Sequence, residues 1–333
     1  MDPTLLRSIP LFVTHGGCPD GRAAALVVNA VLPHVPIREV AYNSPEHLAL
    51  RPADRPCFLD FSPHRDHLAS FVCPAGAAGY TRGDPGAIVI DHHAADLVTP
   101  FGELGVHGSN TLHESGAFLS YREVFAPLFD GAREGLSQPE AVRGAARQLA
   151  RLAAIRDTWQ TDHPQWEAAC EVSEFLRQTP LTGLLRFGVV TALHLGTMLG
   201  PCLWQRKREQ LQATADNAVR IRVGGVRVAV FPSREGAEDA ADLVKDADMV
   251  AAFDYVHEDG GRRVRLQWSL RSWGAVNCAA IARQCGGGGH PSGRAAGFSE
   301  VISDGSFPAG SPYTRLEDML HAALAAERSP VAA

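Results

Sequence analysis

The chain has 333 residues, of which 45 % are hydrophobic and 20 % are charged, and its formal net charge is −6. This length is long for a single core, so two compact domains are expected. Proteins that hold long nucleic acid through the phosphate backbone are usually basic, so the acidic charge argues against duplex DNA as a partner. A short single-stranded oligonucleotide, a dinucleotide or another small phosphorylated substrate fits this charge better.

The sequence also predicts a cytoplasmic protein. No apolar run approaches the length of a membrane span, so no contact with a membrane is expected. Asp2 and Arg7 break up what would be the apolar core of a signal peptide. The seven cysteines are odd in number and include no C-x-x-C pair, so they fit a reducing compartment better than a disulfide framework. Cys57, Cys73 and Cys170 are predicted to be buried thiols.

The first predicted strand, at residues 11–13, leads into a turn that carries candidate metal ligands. Gly16 and Gly17 give this turn the backbone freedom to approach a metal or a phosphate closely. Asp20 is the best candidate ligand in the turn, and a helix follows it. His15 is a second candidate, with a strand-end histidine that only hydrogen-bonds the backbone as the alternative.

Two further short apolar strands end in polar residues: residues 58–59 in Asp60, and residues 88–90 in Asp91, His92 and His93. The three β-branched residues at 88–90 indicate a strand that is buried on both faces. Ligands of an open α/β sheet bind at the carboxyl ends of its strands, so these side chains are expected to converge. Buried carboxylates need cations between them, which predicts a divalent metal site. The alternative for Asp60 is the N-cap of a helix.

Alternating strands and helices over residues 11–100 predict a mostly parallel sheet with helices on both faces. Residues 115–117 then indicate a helix start, whose free N–H groups suit an anion. Residues 139–155 form a predicted helix packed on the sheet, and it ends near Asp157. An aspartate beside an arginine is often an ion pair, which is the simplest interpretation of Asp157 next to Arg156.

A long helix is predicted over residues 201–222 and is expected to join two domains, with its charged run at 206–209 facing solvent. The second domain has predicted strands at 226–231, 249–256 and 263–271, a hairpin turn at 259–261 and a short helix at 276–284. The glycine run at 286–289 then offers bare N–H groups that can form an anion-binding nest, with a flexible linker as the alternative.

The Asp-His-His run at 91–93 and the Gly-Gly-Gly-Gly-His run at 286–290 together resemble the DHH superfamily of phosphoesterases, over nearly the whole chain. The members it looks most like have a C-terminal DHH-associated domain, as in the oligoribonuclease and RecJ-like phosphodiesterase group. The resemblance implies an α/β fold in three parts. They are a catalytic domain at 1–195 with a mostly parallel doubly wound sheet, a helical linker at 196–222, and a smaller substrate-binding α/β domain at 223–333 with a mixed sheet.

The resemblance also implies a metal site and a second domain that closes over the substrate. The implied metal ligands, with Asp60 bridging two ions, are His15, Asp20, Asp60, His92 and Asp157. His93 would face the scissile phosphate, and Asp91 would orient the histidines. The residues implied to hold phosphate or ribose are Gly287, Gly288, Gly289, His290, Arg294 and Arg271. Manganese, as one or two ions, is the implied cofactor, with magnesium or cobalt as alternatives.

Two positions depart from the family pattern. The family has two aspartates in a D-x-D-G motif, whereas residues 18–21 are Cys-Pro-Asp-Gly, so Cys18 replaces the first aspartate. Cysteine is more often a small apolar residue than a ligand, and we therefore expect a weak first metal site. The Ala-Ala-Gly at 295–297 follows His290 by a longer turn than the family has, which leaves the role of Arg294 open.

Three functions are compatible with these features. The first is a metal-dependent phosphodiesterase that hydrolyses short oligonucleotides or dinucleotides, linear or cyclic, with a metal-bound hydroxide. The second is a phosphatase that acts on a small anhydride or a nucleoside bisphosphate. The third is a nucleotide-binding regulatory protein without catalysis, which only Cys18 favours. The first is expected here, and a homodimer is compatible with it.

Overall fold

The computed structural model describes residues 1–41, 44–63, 65–71, 86–92, 107–110, 114–233, 237–241, 243–244, 246–258, 263–273, 276–289, 293–302 and 312–328. The chain forms two compact units, Met1–Trp204 and Gln205–Ala333. The predicted fold class is confirmed, because a parallel sheet in the first unit is followed by a helical region and then by a mixed sheet in the second. The assignment of catalysis to one unit and of substrate binding to the other stays a prediction.

The first unit is built on a parallel sheet that has these five strands among the described residues: β1 (Leu11–His15), β2 (Ile37–Val40), β3 (Pro56–Leu59), β4 (Ile88–Asp91) and β5 (His107–Asn110). Their spatial order is β2-β1-β3-β4-β5, a doubly wound order. The carboxyl ends of β1, β3 and β4 therefore lie side by side. This end of the sheet carries His15, Asp60 and Asp91.

The described helices of the first unit are α1 (Pro3–Arg7), α2 (Pro19–Asn29), α3 (Pro45–Leu48), α4 (Arg65–Ser70), α5 (Gly116–Ser120), α6 (Ala126–Ala132), α7 (Pro139–Asp157) and α8 (Trp166–Gln178), with 3-10 turns at Pro52–Asp54 and Arg133–Gly135 and a π-helical turn at Tyr121–Phe125. Apolar residues of α2, α5 and α7 form one core with one face of the sheet. Leu68 of α4 packs with Val13 and Phe58 on the other face. The sheet is therefore covered on both faces.

Local sequence explains the elements that carry the site. Ile88, Val89 and Ile90 of β4 are all buried, as β-branched residues of an interior parallel strand should be. The helix α2 begins with Pro19 and has Asp20 in its first turn, which suits the positive end of a helix. The helix α7 buries an alanine- and leucine-rich stripe, as the predicted helix at 139–155 should.

The long helix α9 (Leu181–Asp216) differs at both ends from the helix predicted over residues 201–222. It begins earlier and continues across Pro201, although an interior proline costs a helix about 3 kcal/mol. The adjacent Gly200 lies against the backbone of Glu171 in α8. It ends earlier because polar and apolar residues alternate in Val219–Val223, which forms a strand instead. The helix is kinked at Gly188, where φ is +71°.

By length and composition alone, α9 is a helix of the described chain that could cross a membrane, with a mean hydropathy of 1.4 in its most apolar window. This result differs from the expectation that no apolar run approaches such a length. Core helices of soluble proteins, which are mostly buried, have the same composition, whereas only 33 % of this window is buried. Ala192 and Leu193, for example, pack into the core of the first unit.

The charged run at 206–209, which is predicted to face solvent, is only partly exposed. Lys207 is buried and lies 2.5 Å from Oδ2 of Asp239, which is also buried. The neighbouring Arg206, Arg208 and Glu209 are exposed. A buried ammonium group needs a carboxylate partner, and this partner lies in a distant part of the sequence.

The second unit contains a mixed sheet with these six strands among the described residues: β6 (Val219–Val223), β7 (Val226–Pro232), β8 (Met249–Glu258), β9 (Arg263–Ser272), β10 (Gly288–Gly289) and β11 (Ala295–Ile302). Their order is β10-β11-β9-β8-β7-β6, in which only β7 and β8 pair in parallel. Its described helices are α10 (Glu238–Ala241), α11 (Cys278–Gln284) and α12 (Pro312–Arg328). Leu266, Trp268 and Leu270 of β9 are buried, which confirms the predicted alternation. The hairpin turn predicted at 259–261 lies outside the described residues.

Two histidines lie in an aromatic cluster beside the sheet. The fully buried ring of His47 is 4.6 Å from that of His67 and 4.8 Å from that of Phe61. The ring of His67 in turn stacks on Phe71 at 5.1 Å. Burial, reinforced by His67, lowers the pKa of His47 from 6.5 to about 4. His47 is therefore neutral in the folded protein at neutral pH.

This pKa predicts a loss of stability in mild acid. Below pH 6.5 the unfolded state binds a proton at His47 that the folded state does not bind until the pH approaches 4. The stability that the neutral His47 contributes is therefore complete above pH 6.5 and is lost as the pH falls towards 4. At pH 5 the loss amounts to about 2 kcal/mol. Urea unfolding of the metal-free protein at pH 7 and pH 5 should show this loss, and His47→Leu should reduce it. The exposed His34 supplies the control variant His34→Gln, which should keep it; an unchanged pH dependence in His47→Leu would contradict the assignment.

Candidate metal centre

Four of the five predicted metal ligands come together at the carboxyl end of the first sheet. Asp20, His92 and Asp157 have ligand atoms within 4.8 Å of one another, and so do Asp60, Asp91 and His92. His92 belongs to both groups. His15 belongs to neither group within the described residues; it is half-buried at the end of β1, with its ring stacked on Phe61 at 6.1 Å.

Asp60 occupies the centre of this arrangement. It follows β3, is fully buried, and has a left-handed φ of +52° that directs the chain out of the strand. Its backbone N–H donates to the carbonyl of Ile90 at 2.9 Å. A Cβ atom on Gly116 would lie 2.6 Å from Oδ1 of Asp60 and 2.7 Å from its Cα, so only glycine fits beside it. The small helix start predicted at 115–117 therefore makes room for this aspartate.

Asp20 lies in the first turn of α2 and is almost completely buried. Its Oδ2 accepts a hydrogen bond from the backbone N–H of Ala117 at 3.1 Å. Its Oδ1 is buried without a hydrogen-bond partner among the described residues. Burial, together with the negative charges of Asp60 and Asp157, raises the pKa of Asp20 well above its usual range. A buried carboxyl oxygen without a hydrogen-bond partner is suited to binding a cation.

His92 is held between carboxylates. Its Nε2 lies 2.9 Å from Oδ2 of Asp157 and 3.5 Å from Oδ1 of Asp60, and its backbone N–H donates to Oδ1 of Asp91 at 2.8 Å. Burial disfavours the charged imidazolium, yet Asp157 and Asp60 outweigh burial and raise the pKa of His92 to about 12. The protonated His92 thus places a positive charge beside Asp157 and Asp60, where it offsets their negative charges.

Asp157 is the last residue of α7, which places it at this end of the sheet. The guanidinium of the preceding Arg156 stacks over the rings of Trp159 and Trp166, at 4.6 and 5.2 Å from their centroids. Trp159 has a left-handed φ of +57° directly beyond the helix. The guanidinium of Arg156 therefore packs on the two tryptophan rings, and the carboxylate of Asp157 contacts Nε2 of His92.

These residues fit a divalent cation. Carboxylate oxygens and an imidazole nitrogen are ligands for hard or borderline metals such as manganese and magnesium. Several carboxylates buried together are costly without a positive charge among them, as the raised pKa values of Asp20 and His92 show. The assignment of His15, Asp20, Asp60, His92 and Asp157 as ligands stays a prediction.

Cys18 is the residue that replaces the first aspartate of the D-x-D-G motif. Its Sγ donates to Oδ2 of Asp60 at 3.2 Å. Burial and the negative charges of Asp60, Asp157 and Asp20 raise the pKa of the Cys18 thiol well above its usual range, so the thiol remains protonated. Of the cysteines predicted to be buried, Cys57 and Cys170 are buried, and Cys73 lies outside the described residues.

The predicted substrate-binding residues belong to the second unit. A Cβ atom on Gly289 would lie 2.7 Å from the Cβ of Ala296, so close pairing of β10 with β11 requires glycine there. The Gly287 N–H donates to the carbonyl of Ala282 at 2.8 Å and thereby ends α11. Gly288 is exposed. This packing gives the glycines a structural role, and a role in substrate binding stays a prediction.

Arg271 lies in β9, and Arg294 directly precedes the adjacent strand β11. Arg271 is opposite Ala295 in the pairing of β9 with β11, and the Ser272 N–H donates to the carbonyl of Arg294 at 2.9 Å. The side chain of Arg294 is exposed and that of Arg271 is half-buried. The other two predicted site residues, His93 and His290, lie outside the described residues.

Comparison with known proteins supports the fold. The sequence matches no protein-family model and no curated protein. Its structure is similar to the DHH domain of a member of the s1p family of ribosomal proteins, with a TM-score of 0.56 and 13 % identity over 97 % of this chain and 87 % of that one. Weaker similarities are found to manganese-bound RecJ from Thermus thermophilus (TM-score 0.46, 16 % identity, 98 % of this chain and 53 % of that one) and to the pGpG-specific phosphodiesterase PggH from Vibrio cholerae (TM-score 0.39, 11 % identity, 95 % and 99 %).

Proposed function

We propose that this chain, which has the fold of the DHH superfamily, is a metal-dependent phosphodiesterase that hydrolyses short oligonucleotides or dinucleotides. The observation that carries the proposal is the convergence of Asp20, Asp60, His92 and Asp157 at the carboxyl end of the parallel sheet. This is the end of a doubly wound sheet where ligands bind. Few functions other than metal binding explain so many buried acidic groups around one imidazole.

The proposed ligands form two sets that share Asp60. One set is His15 and Asp60, and the other is Asp20, Asp60, His92 and Asp157. Manganese is the proposed ion, as one or two ions, with magnesium or cobalt as alternatives. A bound divalent ion makes water a stronger nucleophile at neutral pH and offsets the negative charge of a phosphate.

Residues of the chain itself orient the site. Asp91 accepts the backbone N–H of His92 at 2.8 Å, which supports the proposed orienting role of Asp91. The N–H of Ala117 holds one oxygen of Asp20, and the other is buried without a hydrogen-bond partner among the described residues. His93, proposed to face the scissile phosphate, follows His92 directly in the sequence.

The proposed substrate is short and single-stranded. The net charge of −6 disfavours binding of a long phosphate backbone. In the second unit, Arg271 and Arg294 are proposed to hold phosphate or ribose, with Gly287, Gly288, Gly289 and His290 beside them. A cytoplasmic location is also part of the proposal, and the free thiols of Cys57 and Cys278 are consistent with it.

A substrate panel assayed with manganese tests the proposed function. It comprises linear and cyclic dinucleotides, longer RNA, a nucleoside bisphosphate and pyrophosphate. We expect the highest kcat/KM for a dinucleotide, with activity falling as the RNA lengthens beyond a few residues. Preferential turnover of the bisphosphate or pyrophosphate would indicate a phosphatase instead. Manganese binding without any turnover would indicate a regulatory nucleotide-binding protein, and equal turnover of long RNA would contradict the proposed substrate class.

Cys18→Asp should strengthen the weaker metal site. The new carboxylate would supply the oxygen donor that this position lacks, and we expect the weaker manganese-binding step to tighten by about tenfold or more. Cys18 is the N-cap of α2 and makes no side-chain capping bond, so aspartate should also be favourable for the helix. Cys18→Asn is the matched control, because asparagine caps a helix equally well without adding charge. Two equally tight manganese ions in the unmodified protein, measured by calorimetric titration, would contradict this prediction.

A further inference from the structure

We propose that the ion pair between Arg22 and Glu39, which lies outside the metal centre, positions the metal-binding turn and thereby sets the metal affinity of the site. Nothing in the local sequence marks either residue as functional. The inference rests on the part of the proposed function that assigns a divalent cation to the cluster around Asp60. It does not depend on which phosphate ester the protein hydrolyses.

The first observation is the way the turn between β1 and α2 is held. This turn carries Cys18 and leads directly to Asp20. The Gly17 N–H donates to Oε1 of Glu39 at 3.0 Å, and the Gly16 N–H donates to the carbonyl of Val40 at 2.8 Å. Gly17 also has a left-handed φ of +77°, a conformation that glycine adopts without strain. Two successive N–H groups of the turn are therefore tied to the end of β2.

The second observation is that Arg22 holds Glu39 in place. Nε of Arg22 donates to Oε1 of Glu39 at 2.6 Å and its Nη2 donates to Oε2 at 3.3 Å, so both oxygens of the carboxylate are engaged. Only 9 % of Arg22 is exposed, and a charge in that position requires a partner. Oε1 thus accepts both the guanidinium and the Gly17 N–H, which couples the two contacts.

The third observation is an anchor on the opposite side of Arg22. Its Nη1 donates to the backbone carbonyls of Leu176, Arg177 and Thr179, at 2.8, 2.7 and 3.1 Å. These carbonyls are at the carboxyl end of α8, the negative end of the helix dipole, where a cation is favoured. Arg22 therefore joins the end of α8 to the metal-binding turn, and its planar fork of donors is suited to making all of these bonds at once.

The position of the pair in the chain connects it with metal binding. Glu39 holds the turn at Gly17, three residues before Asp20, and Arg22 anchors α2 two residues after Asp20. Asp20 is therefore fixed on both sides by one ion pair. A metal requires its ligands within a few tenths of an ångström of their preferred positions, so loss of the pair should weaken binding without removing any ligand.

Two conservative variants test the inference. Glu39→Gln retains an acceptor for the Gly17 N–H but leaves the charge of Arg22 uncompensated. Arg22→Lys retains the charge but loses the fork that engages Glu39 and the end of α8. Each variant should weaken manganese binding to the metal-free protein by roughly 10–100-fold, measured by electron paramagnetic resonance titration without substrate. The double variant should lose less than the product of the two single effects, because both act on the same turn.

The matched control is Asp239→Asn, which makes the same carboxylate-to-amide change in the buried pair with Lys207 of the second unit. This control should lower the Tm of the metal-free protein and leave the manganese affinity unchanged. If Glu39→Gln and Arg22→Lys lower only the Tm and bind manganese within about twofold of the unmodified protein, the pair is merely structural and the inference is wrong.

The proposed hydrolysis fails on a different measurement. If the unmodified protein binds manganese and turns over none of the phosphate esters, the proposed activity is wrong and the positioning role stands or falls with the affinities of the variants. If the unmodified protein binds no manganese, both proposals are wrong.

Discussion

Replacing Asp60 by asparagine should abolish hydrolysis of dinucleotides while the protein stays folded. Asparagine tolerates the left-handed backbone at this position, where φ is +52°, and it keeps the shape of the side chain. It removes the negative charge that lies 3.5 Å from Nε2 of His92 at the centre of the cluster. One neutral amide oxygen cannot replace the carboxylate that we propose is shared between two cation sites.

We expect kcat to fall by more than about 10³-fold, which is beyond the usual effect of removing one stabilising hydrogen-bond donor. The measurement is manganese-dependent turnover of a dinucleotide, with circular dichroism to confirm folding. Asp130→Asn is the control, because that side chain is 84 % exposed, and it should keep full activity. Near-normal turnover by Asp60→Asn, in protein free of contaminating nuclease, would falsify the assignment of Asp60 as a shared ligand.

Gly116→Ala should disable the site by adding a single methyl group. The new Cβ would lie 2.6 Å from Oδ1 of Asp60 and 2.7 Å from its Cα, and both atoms belong to a fully buried residue. Asp60 or the start of α5 must therefore shift. The shift should cost about 1–3 kcal/mol of stability and displace the aspartate by enough to reduce turnover by about 10²-fold.

Gly144→Ala is the matched control for this substitution. Gly144 also lies in a helix, α7, but nothing lies within 4 Å of the position that its Cβ would take. This variant should keep its activity and gain about 0.5–1 kcal/mol of stability from the better helix propensity of alanine. The measurements are urea unfolding and dinucleotide turnover for both variants. If the two variants behave alike, the close contact between Gly116 and Asp60 has no functional consequence.

The sequence by itself determined which end of which sheet carries the cluster of acidic residues and histidine. Short apolar strands that end at His15, Asp60 and Asp91 predict a shared site, because the carboxyl ends of neighbouring parallel strands lie side by side. The β-branched run before Asp91 likewise predicts a buried strand from local composition alone. The helix that delivers Asp157 follows from its periodic apolar stripe. These predictions succeed because the periodicity of a strand or helix is a local property.

Local pattern was insufficient wherever a neighbour is distant in the sequence. The helix predicted over residues 201–222 includes residues 219–222, but these belong to strand β6, because pairing with β7 outweighs the continuity of the preceding helix. The charge pattern predicts a solvated face at Lys207, but this side chain is buried, because Asp239 provides its counter-charge. Composition does not show which carboxylate a given lysine will meet.

Only the tertiary structure decided how the proposed metal ligands are supported. Glu39 reaches the Gly17 N–H because β1 and β2 pair in parallel with Thr14 opposite Glu39, and a register of this kind is set by packing of whole strands. Gly116 meets Asp60 because α5 packs against the end of β3, on the far side of a long stretch of chain. The candidate ligands are thus evident from the ends of strands and helices, which are local features. Their supports depend on contacts between elements that become neighbours only when the chain folds.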